Sequence, residues 1–465
     1  MPFKQQRARD PLHNLIEFGA HDFENALWWV VQTRPFQRLR RIKQLGLTDL
    51  VYPGATHSRF AHSLGVFHTA RMLMRIIKDR LGDQRYDDTP AKRALAAALV
   101  HDLGHGPFSH AFEEVGRRLN LRMSNHEVMS DVLIRDGEVA EEFNRRLGSG
   151  FASDVADVIK SSGPGNIYSA VVSSQFDADR LDYMQRDRLM TGTQHGAIDF
   201  VWLLANLEVG QVPYGVDDQK IGEIETFVLG PKAVFAAETY VLGLFQLYPT
   251  VYYHKTTRGA EKIFCELLFR VFKFAQDGGW RETGLEHRHP LIQFAKKPDK
   301  VDSLLALDDS LVWGALGRLA EAKDEVVARL AAGLRDRKLY KVIDIRERFL
   351  HRIGPDEQVV GRACASTGQK IDEWLSDKDN SLPRILSDNA ERAPYKRFQE
   401  SKGPLNQIMI KTPGGELVDL GERSKVVAAI EPFRSYRVYV AEEDSEARTL
   451  VEKLIEGEVE NGAAA

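Results

Sequence analysis

His101-Asp102-Leu103-Gly104-His105-Gly106-Pro107-Phe108-Ser109-His110 packs three histidines and one aspartate into ten residues. The adjacent His101-Asp102 pair offers a neutral imidazole nitrogen and a carboxylate oxygen to one metal ion. Upstream runs AKRALAAALV, Ala91 to Val100, a strongly helix-forming segment that delivers the pair at its C-terminal end. Thr89 can cap that helix, and Pro90 suits its first position. Gly104, Gly106 and Pro107 then break it, so that His105 and His110 can turn back toward the metal. A metal ion with a positioned histidine is a device for cleaving phosphate esters.

Working outward, Ser58 to Lys78 spaces Phe60, Leu64, Phe67, Leu73, Met74 and Ile77 along a helical stripe and carries His62. Asp177 to Met190 reads as a further helix, stopped near Gly192 and carrying Asp179. Three helices can thus converge His62, His101, Asp102 and Asp179 on one ion. Two imidazoles and two carboxylates suit iron, manganese, nickel or zinc without choosing among them. Asp177 is a rival ligand, but it stands where an N-cap would. Asp179, Tyr183 and Asp187 are spaced i, i+4, i+8 and share one helix face, which suits a polar pocket. The competing reading is a solvated face with helical pairs such as Asp182 to Arg186. Ser124-Asn125-His126-Glu127 fits a capping box that opens another helix, with Glu127 as a cap rather than a base.

The chain of 465 residues is 43% hydrophobic and 28% charged, ordinary proportions for a globular protein with ample core. A net charge of -4 argues against a surface that coats nucleic acid, though not against a local basic pocket. The two cysteines, Cys265 and Cys364, lie far apart and read as reduced core residues rather than a zinc site. The N-terminus has no secretory core, and no segment is apolar enough to span a bilayer, which leaves a cytoplasmic expectation without a membrane partner.

The pattern is mainly α with a smaller α+β C-terminal lobe. Helical spacing fills Phe23 to Leu45, Lys232 to Ala275 and Ser303 to Gly333. Extended stretches are expected at Lys220 to Leu229, Gln407 to Thr412, Glu416 to Leu420 and Tyr436 to Val440. The polar stretch Gln276 to Lys300 reads as a boundary, Glu442 to Ile455 as a last helix, and Glu456 to Ala465 as a disordered tail. The basic run Arg38 to Lys43 reads first as a solvated helix face, with nucleotide or nucleic-acid contact as the lesser alternative. Ser161 to Gly165 lacks P-loop spacing and reads as a turn. His57, His68 and His254 read as structural histidines.

SRFAHSLGV at Ser58, HDLGHGPFSHAFE at His101, NHE at Asn125 and DADRLDYMQRD at Asp177 together resemble the HD superfamily of metal-dependent phosphohydrolases. Within it the chain is most similar to the deoxynucleoside triphosphate triphosphohydrolases that join a SAM domain to an HD domain, here without a SAM domain. The resemblance runs from about Asp10 to Val440 and includes PLNQIMIKTPGG and YRVYVAEED in the C-terminal lobe. It implies an N-terminal arm (1–20), an HD helical bundle (21–290), a helical extension (291–390) and an α+β lobe with its tail (391–465).

The resemblance also implies a reaction, dNTP plus water giving deoxynucleoside plus triphosphate, in a homo-oligomer. His62, His101, Asp102 and Asp179 would hold a divalent transition metal, and the nucleotide could bring an additional magnesium ion. Arg59 would hold a phosphate, with His105 and His126 lining the phosphate channel. His110, supported by Glu113, would protonate the departing 5' oxygen, a contribution of about 10²–10⁴ in rate. Arg180 would bind phosphate, Tyr183 and Asp187 sugar and phosphates, Gln44 and Leu45 the deoxyribose, and Tyr252 the underside of the sugar.

The pattern departs at Leu244, where the family grips the terminal phosphate with arginine, and at Tyr253, where it has glutamine. Gln32, Arg9 and Trp202 replace the residues of a guanine-reading regulatory site, although Gln37 and Arg40 remain. Two alternatives follow: an HD phosphohydrolase acting on a nucleoside monophosphate or a nucleic-acid end, or a non-catalytic regulator that binds nucleotide or nucleic acid.

Overall fold

A computed structural model describes residues 4–160, 166–216, 219–376, 382–395 and 407–463. The fold is mainly helical, with small sheets concentrated toward the C-terminal lobe. The Ser161 to Gly165 turn lies outside the described residues.

Near the N-terminus the chain forms a packed hairpin. Strands Gln6–Asp10 and Asn14–Phe18 pair antiparallel, Gln6 opposite Phe18. The Asp10 carboxylate closes the turn by accepting from the backbone N–H of Leu12 and His13, at 3.0 and 2.9 Å. Ile16 and Phe18 point into the core, where Phe18 stacks on Phe67.

The helix expected over Phe23 to Leu45 divides into Asp22–Val31, Arg34–Arg38 and a 3-10 turn Leu39–Arg41. Thr33 and Pro35 cause the break: Thr33 is extended and caps the second piece, which takes Pro35 in its first turn. The basic run that follows is solvated only in part, at Arg40 and Arg41. Arg38 is buried and donates Nε to the Leu307 carbonyl at 2.7 Å, and burial lowers its pKa to about 10. Arg41 pairs with Asp308 and Lys43 with Asp49, while Arg40 lies over the Phe60 ring.

Helix Arg59–Leu81 starts at Ser58, whose Oγ accepts from Ala61 N–H, and buries one long face. Helix Asp88–Val100 packs beside it. Its cap is Asp87, bound to Thr89 N–H at 2.8 Å, so Thr89 and Pro90 sit two residues further in than expected. Helix His126–Arg135 is capped by Asn125, not Ser124, through Val128 N–H at 2.9 Å. Helix Ala178–Thr191 has Asp177 as its cap, at 2.7 Å from Arg180 N–H, and ends at Gly192 with φ 72°.

The extended stretch before Leu229 is half of a hairpin, Leu207–Val216 with Gln219–Leu229; it continues through Met409–Lys411 to Leu417–Asp419 in a four-stranded sheet. A three-stranded sheet sets Phe433–Val440 between Lys341–Asp344 and Ile385–Arg392. Two of those strands come from the expected helical extension, so the lobe starts near 341. Leu291, Ile292 and Phe294 are fully buried, in an apolar cluster that reaches from Ile16 to Leu334 and takes in Leu386 and Tyr439. The C-terminal tail is helical. Helix Ser445–Ala463 buries Val451 and Ile455, and Glu458 accepts from Ser366 and Lys370.

Candidate metal centre and catalytic cavity

Three helices and one loop bring the HD residues together. His62 lies in the first turn of Arg59–Leu81, His101 caps the end of Asp88–Val100, Asp102 follows it, and Asp179 lies in the first turn of Ala178–Thr191. His62 Nδ1 bonds Asp182 Oδ2 at 2.9 Å and His101 Nδ1 bonds the Ala98 carbonyl at 3.0 Å. Both partners are acceptors, so each Nδ1 carries a proton, and each Nε2 is the atom that would present a lone pair to a bound ion. Both Nε2 atoms are buried and have no hydrogen-bond partner. They face the same carboxylate: Asp179 Oδ1 is 2.9 Å from His62 Nε2 and 3.7 Å from His101 Nε2.

These residues fit a metal ion. Ligands at about 2.1 Å from an ion stand about 3 Å apart when cis in an octahedron and about 3.4 Å apart in a tetrahedron, and the separations between these ligand atoms run from 2.9 to 3.8 Å. The rings of His62 and His101 meet at 75°, so their planes intersect and one ion can lie in both. Asp102 completes the set, with Oδ1 3.4 Å from His101 Nε2 and Oδ2 3.8 Å from His62 Nε2. The pocket attracts positive charge. Burial opposes the His62 imidazolium, yet Asp179 and Asp182 outweigh it and raise its pKa to about 10. Burial also resists ionisation of Asp102, but Arg59, His101 and His105 hold it well below the usual carboxylate range.

A second cluster stands beside the first. Glu113, on helix His110–Arg118, accepts from His110 Nδ1 at 3.2 Å and from His126 Nδ1. Burial opposes its charge, and the hydrogen bonds from both histidines lower its pKa well below the usual value. His105 stacks on His126 with ring centroids 4.1 Å apart and an interplanar angle of 10°. Ring lone pairs lie in the ring plane, and two parallel planes share no point for an ion. This group is therefore suited to hydrogen bonding and proton transfer. His110 is open to solvent, as a donor to an incoming ligand must be.

The loop joining the clusters is strained. Phe108 and Ser109 are consecutive non-glycine residues at φ 53° and 54°, worth about 1–3 kcal/mol each. Asp309 holds it by accepting from Phe108 N–H at 2.8 Å, and Arg59 Nε donates to Ser109 Oγ at 2.9 Å. Arg59 NH1 also reaches Asp102 Oδ2 at 2.5 Å, which ties the loop to the metal set. Gly104 permits the packing: a Cβ there would lie 2.2 Å from the His126 carbonyl oxygen.

Both clusters open into one cavity of about 1380 Å³. Gln44, Leu45, Tyr183, Asp187, Tyr252 and Tyr253 form another part of its lining. Asp187 is fixed by His57 Nε2 at 2.8 Å and the Tyr252 hydroxyl at 3.0 Å. Arg180 is not among the lining residues; it is tied to the Ser174 carbonyl and to Asp177 Oδ2. Leu244 is buried in an apolar cluster against which Leu45, Tyr183 and Tyr252 pack, and is not among the lining residues. Sequence reasoning missed Asp182, His13, Asp10 and Asp309, which hold site residues from behind. For Asp182 the signal was its position three residues after Asp179 with Arg186 one turn on. His13 and Asp309 had none, because their partners are remote in sequence.

The HD domain family model matches residues 59–184. The uncharacterized protein YwfO of Bacillus subtilis is 33% identical over 431 residues, which cover 92% of this chain and 89% of YwfO. A deoxynucleoside triphosphate triphosphohydrolase SAMHD1 homolog of Dictyostelium discoideum is 27% identical over 347 residues, 73% of this chain and 61% of that protein. A crystal structure of a phosphohydrolase from Bacteroides thetaiotaomicron superposes with a TM-score of 0.71 at 26% identity, covering 94% of this chain and all of that one.

Proposed function

The chain belongs to the HD-domain phosphohydrolase family, and from that premise we propose that it is a metal-dependent dNTP triphosphohydrolase, converting dNTP and water to deoxynucleoside and triphosphate. The observation that carries the reading is the single cavity lined by His101, Asp102 and Asp179, with buried His62 against Asp179, by the His110–Glu113–His126 group and by the Gln44–Leu45 wall. The relatives named as deoxynucleoside triphosphate triphosphohydrolases support the substrate class.

In this reading His62, His101, Asp102 and Asp179 hold a divalent transition metal. When bound, the ion would activate water and polarise the phosphoryl group. Arg59, buried and fixed by Ser109 and Asp102, lends positive charge to the α-phosphate side as charge develops there. His110 Nε2 donates a proton to the leaving 5' oxygen, while Glu113 holds Nδ1 and stabilises the charged ring. His105 and His126 line the phosphate path. Gln44 and Leu45 lie against the deoxyribose, with Tyr183, Asp187 and Tyr252 around sugar and phosphates. Arg180 acts through Asp177, at the start of the helix that presents Asp179, rather than on phosphate.

A second reading is hydrolysis of another nucleotide phosphoester, a monophosphate or a nucleic-acid end. The observation favouring it is that Leu244 lies in the core and Arg180 is spent on Asp177, so neither grips a terminal phosphate. The deciding experiment incubates the protein with the four dNTPs, matched NTPs and dNMPs in manganese, iron and magnesium, and separates products by chromatography. Triphosphate and deoxynucleoside from dNTPs alone would support the first reading. Inorganic phosphate from monophosphates would move the function to the second. His101→Ala with Asp102→Ala should remove bound metal and turnover; undiminished turnover would exclude this site. Metal-loaded protein idle on every ester would favour a binding regulator. Assembly as a homo-oligomer belongs to the same proposal and is read by light scattering.

A further inference from the structure

Behind the metal centre lies a closed charge network that reaches the N-terminal hairpin. Asp182 is fully buried, and its two oxygens receive four hydrogen bonds. Oδ1 takes His13 Nε2 at 2.6 Å and Arg186 NH2 at 3.0 Å. Oδ2 takes His62 Nδ1 at 2.9 Å and Arg186 Nε at 2.7 Å. A carboxylate has about four acceptor positions, so this one is saturated. Arg186 is held in turn by Asp10, with NH1 at 2.7 Å and NH2 at 3.3 Å. Asp10 and His13 flank the turn of the Gln6–Phe18 hairpin, about 170 residues from Asp182 in sequence. On the other side the network presses against Gly65.

His62 is the only one of the two imidazoles whose orientation rests on a side chain; His101 leans on its own helix carbonyl. Asp182 therefore sets where the His62 lone pair points, and His13 fixes one of the two Asp182 oxygens. We propose that the N-terminal hairpin is a clamp on the metal centre: His13, a positioning residue, acts through Asp182 and His62 to set how firmly a divalent ion is held. Partners behind a metal ligand commonly change affinity about 10–100-fold. The inference rests on His62 being a ligand.

The test uses full-length protein loaded with Co(II), followed during transfer to excess EDTA by its ligand-field absorption and by metal analysis. His13→Ala should release Co(II) about 10–100 times faster than the parent. His13→Gln, which restores an N–H toward Asp182, should return the rate to within about threefold of the parent, a rescue that lost packing would not give. Asp10→Asn, which keeps the turn but weakens the hold on Arg186, should also speed release and serves if His13→Ala does not fold. Parent-like release from His13→Ala, or from Asp10→Asn, overturns the clamp, and so does a His13→Gln variant as fast as His13→Ala. His62→Ala separates the two ideas. If it binds Co(II) like the parent, the centre itself is misassigned; if it loses Co(II) while His13→Ala does not, only the clamp fails.

Discussion

Gly65→Ala should be among the most damaging single-methyl changes in the protein. Gly65 lies midway along Arg59–Leu81, where Ala would normally gain about 1 kcal/mol of helix propensity. A Cβ there would stand 2.0 Å from Asp182 Oδ1, 2.3 Å from Arg186 NH2 and 2.8 Å from Asp182 Cγ. A C···O contact relaxes at about 3.3 Å, so the carboxylate must withdraw by about 1.3 Å. That distance breaks the bonds from Oδ1 to His13 and Arg186, both within a region sealed from water. A lost charge-assisted hydrogen bond costs about 1.5–3 kcal/mol and overpacking about 1–3 kcal/mol. With two such bonds lost, the sum less the propensity gain is about 3–8 kcal/mol of destabilisation, with bound metal lost as His62 swings. Thermal melting and metal analysis of the purified variant would read both effects. Gly314→Ala is the control: Gly314 also lies inside a helix, but a Cβ there meets nothing within 4 Å, so the change should be neutral or stabilising. If Gly65→Ala melts with the parent and keeps its metal, the network is not packed against that helix.

Asp309 gives a pH dependence. Burial raises its pKa to about 6 against the Lys43 and Phe108 N–H groups that favour its charge. A carboxyl near 3.9 unfolded and about 6 folded binds more proton in the fold, so stability is highest below about pH 4 and declines to about pH 6, by roughly 2–3 kcal/mol. Asp309→Asn should flatten that part of a stability-against-pH curve; an unchanged slope would refute the assignment. Arg59→Lys should keep metal but lower kcat about 10–100-fold, because an ammonium lacks the rigid planar fork whose Nε and NH1 reach Ser109 and Asp102; parent-like turnover on the substrate found in the product assay would remove Arg59 from the site. Glu113→Gln should likewise spare metal and lower kcat about 10²–10³-fold, since the amide can accept from only one of His110 and His126. Loss of metal in that variant would join the two clusters into one site.

Helices whose apolar stripe and end signals agree were legible: Ser58 to Lys78 and Asp177 to Met190 form within a few residues of their expected bounds, with Ser58 and Asp177 as caps. Where two local signals competed, the finer one was lost. Thr89-Pro90 looked like a start, but Asp87 is nearer the first free N–H groups; Pro35 sat inside a stripe that continued past it. Strands Lys341–Asp344 and Ile385–Arg392 are short and become strands only by pairing with Phe433–Val440, a partner about fifty to a hundred residues away. The tail looked disordered from its last residues alone, although Ile455 and Glu458 have partners in the lobe.

At the site, residue types and spacing revealed what faces the ion and hid what stands behind it. An i, i+4 Asp182–Arg186 pair reads the same whether water or protein surrounds it. Only the approach of Gly65, His13 and Asp10 makes it a sealed network, and those contacts span 117 to 176 residues. The glycine-rich turn carries the same lesson. Its glycines read as helix breakers, yet the positive φ falls on Phe108 and Ser109, while Gly104 gives room for the His126 backbone. Strain on non-glycine residues persists only where the surroundings fix it, and here Asp309 and Arg59 do so. The loop therefore cannot be positioned by its own sequence. A helix from beyond residue 300 sets its conformation, which makes the HD core and the following helices one functional unit as well as one apolar core.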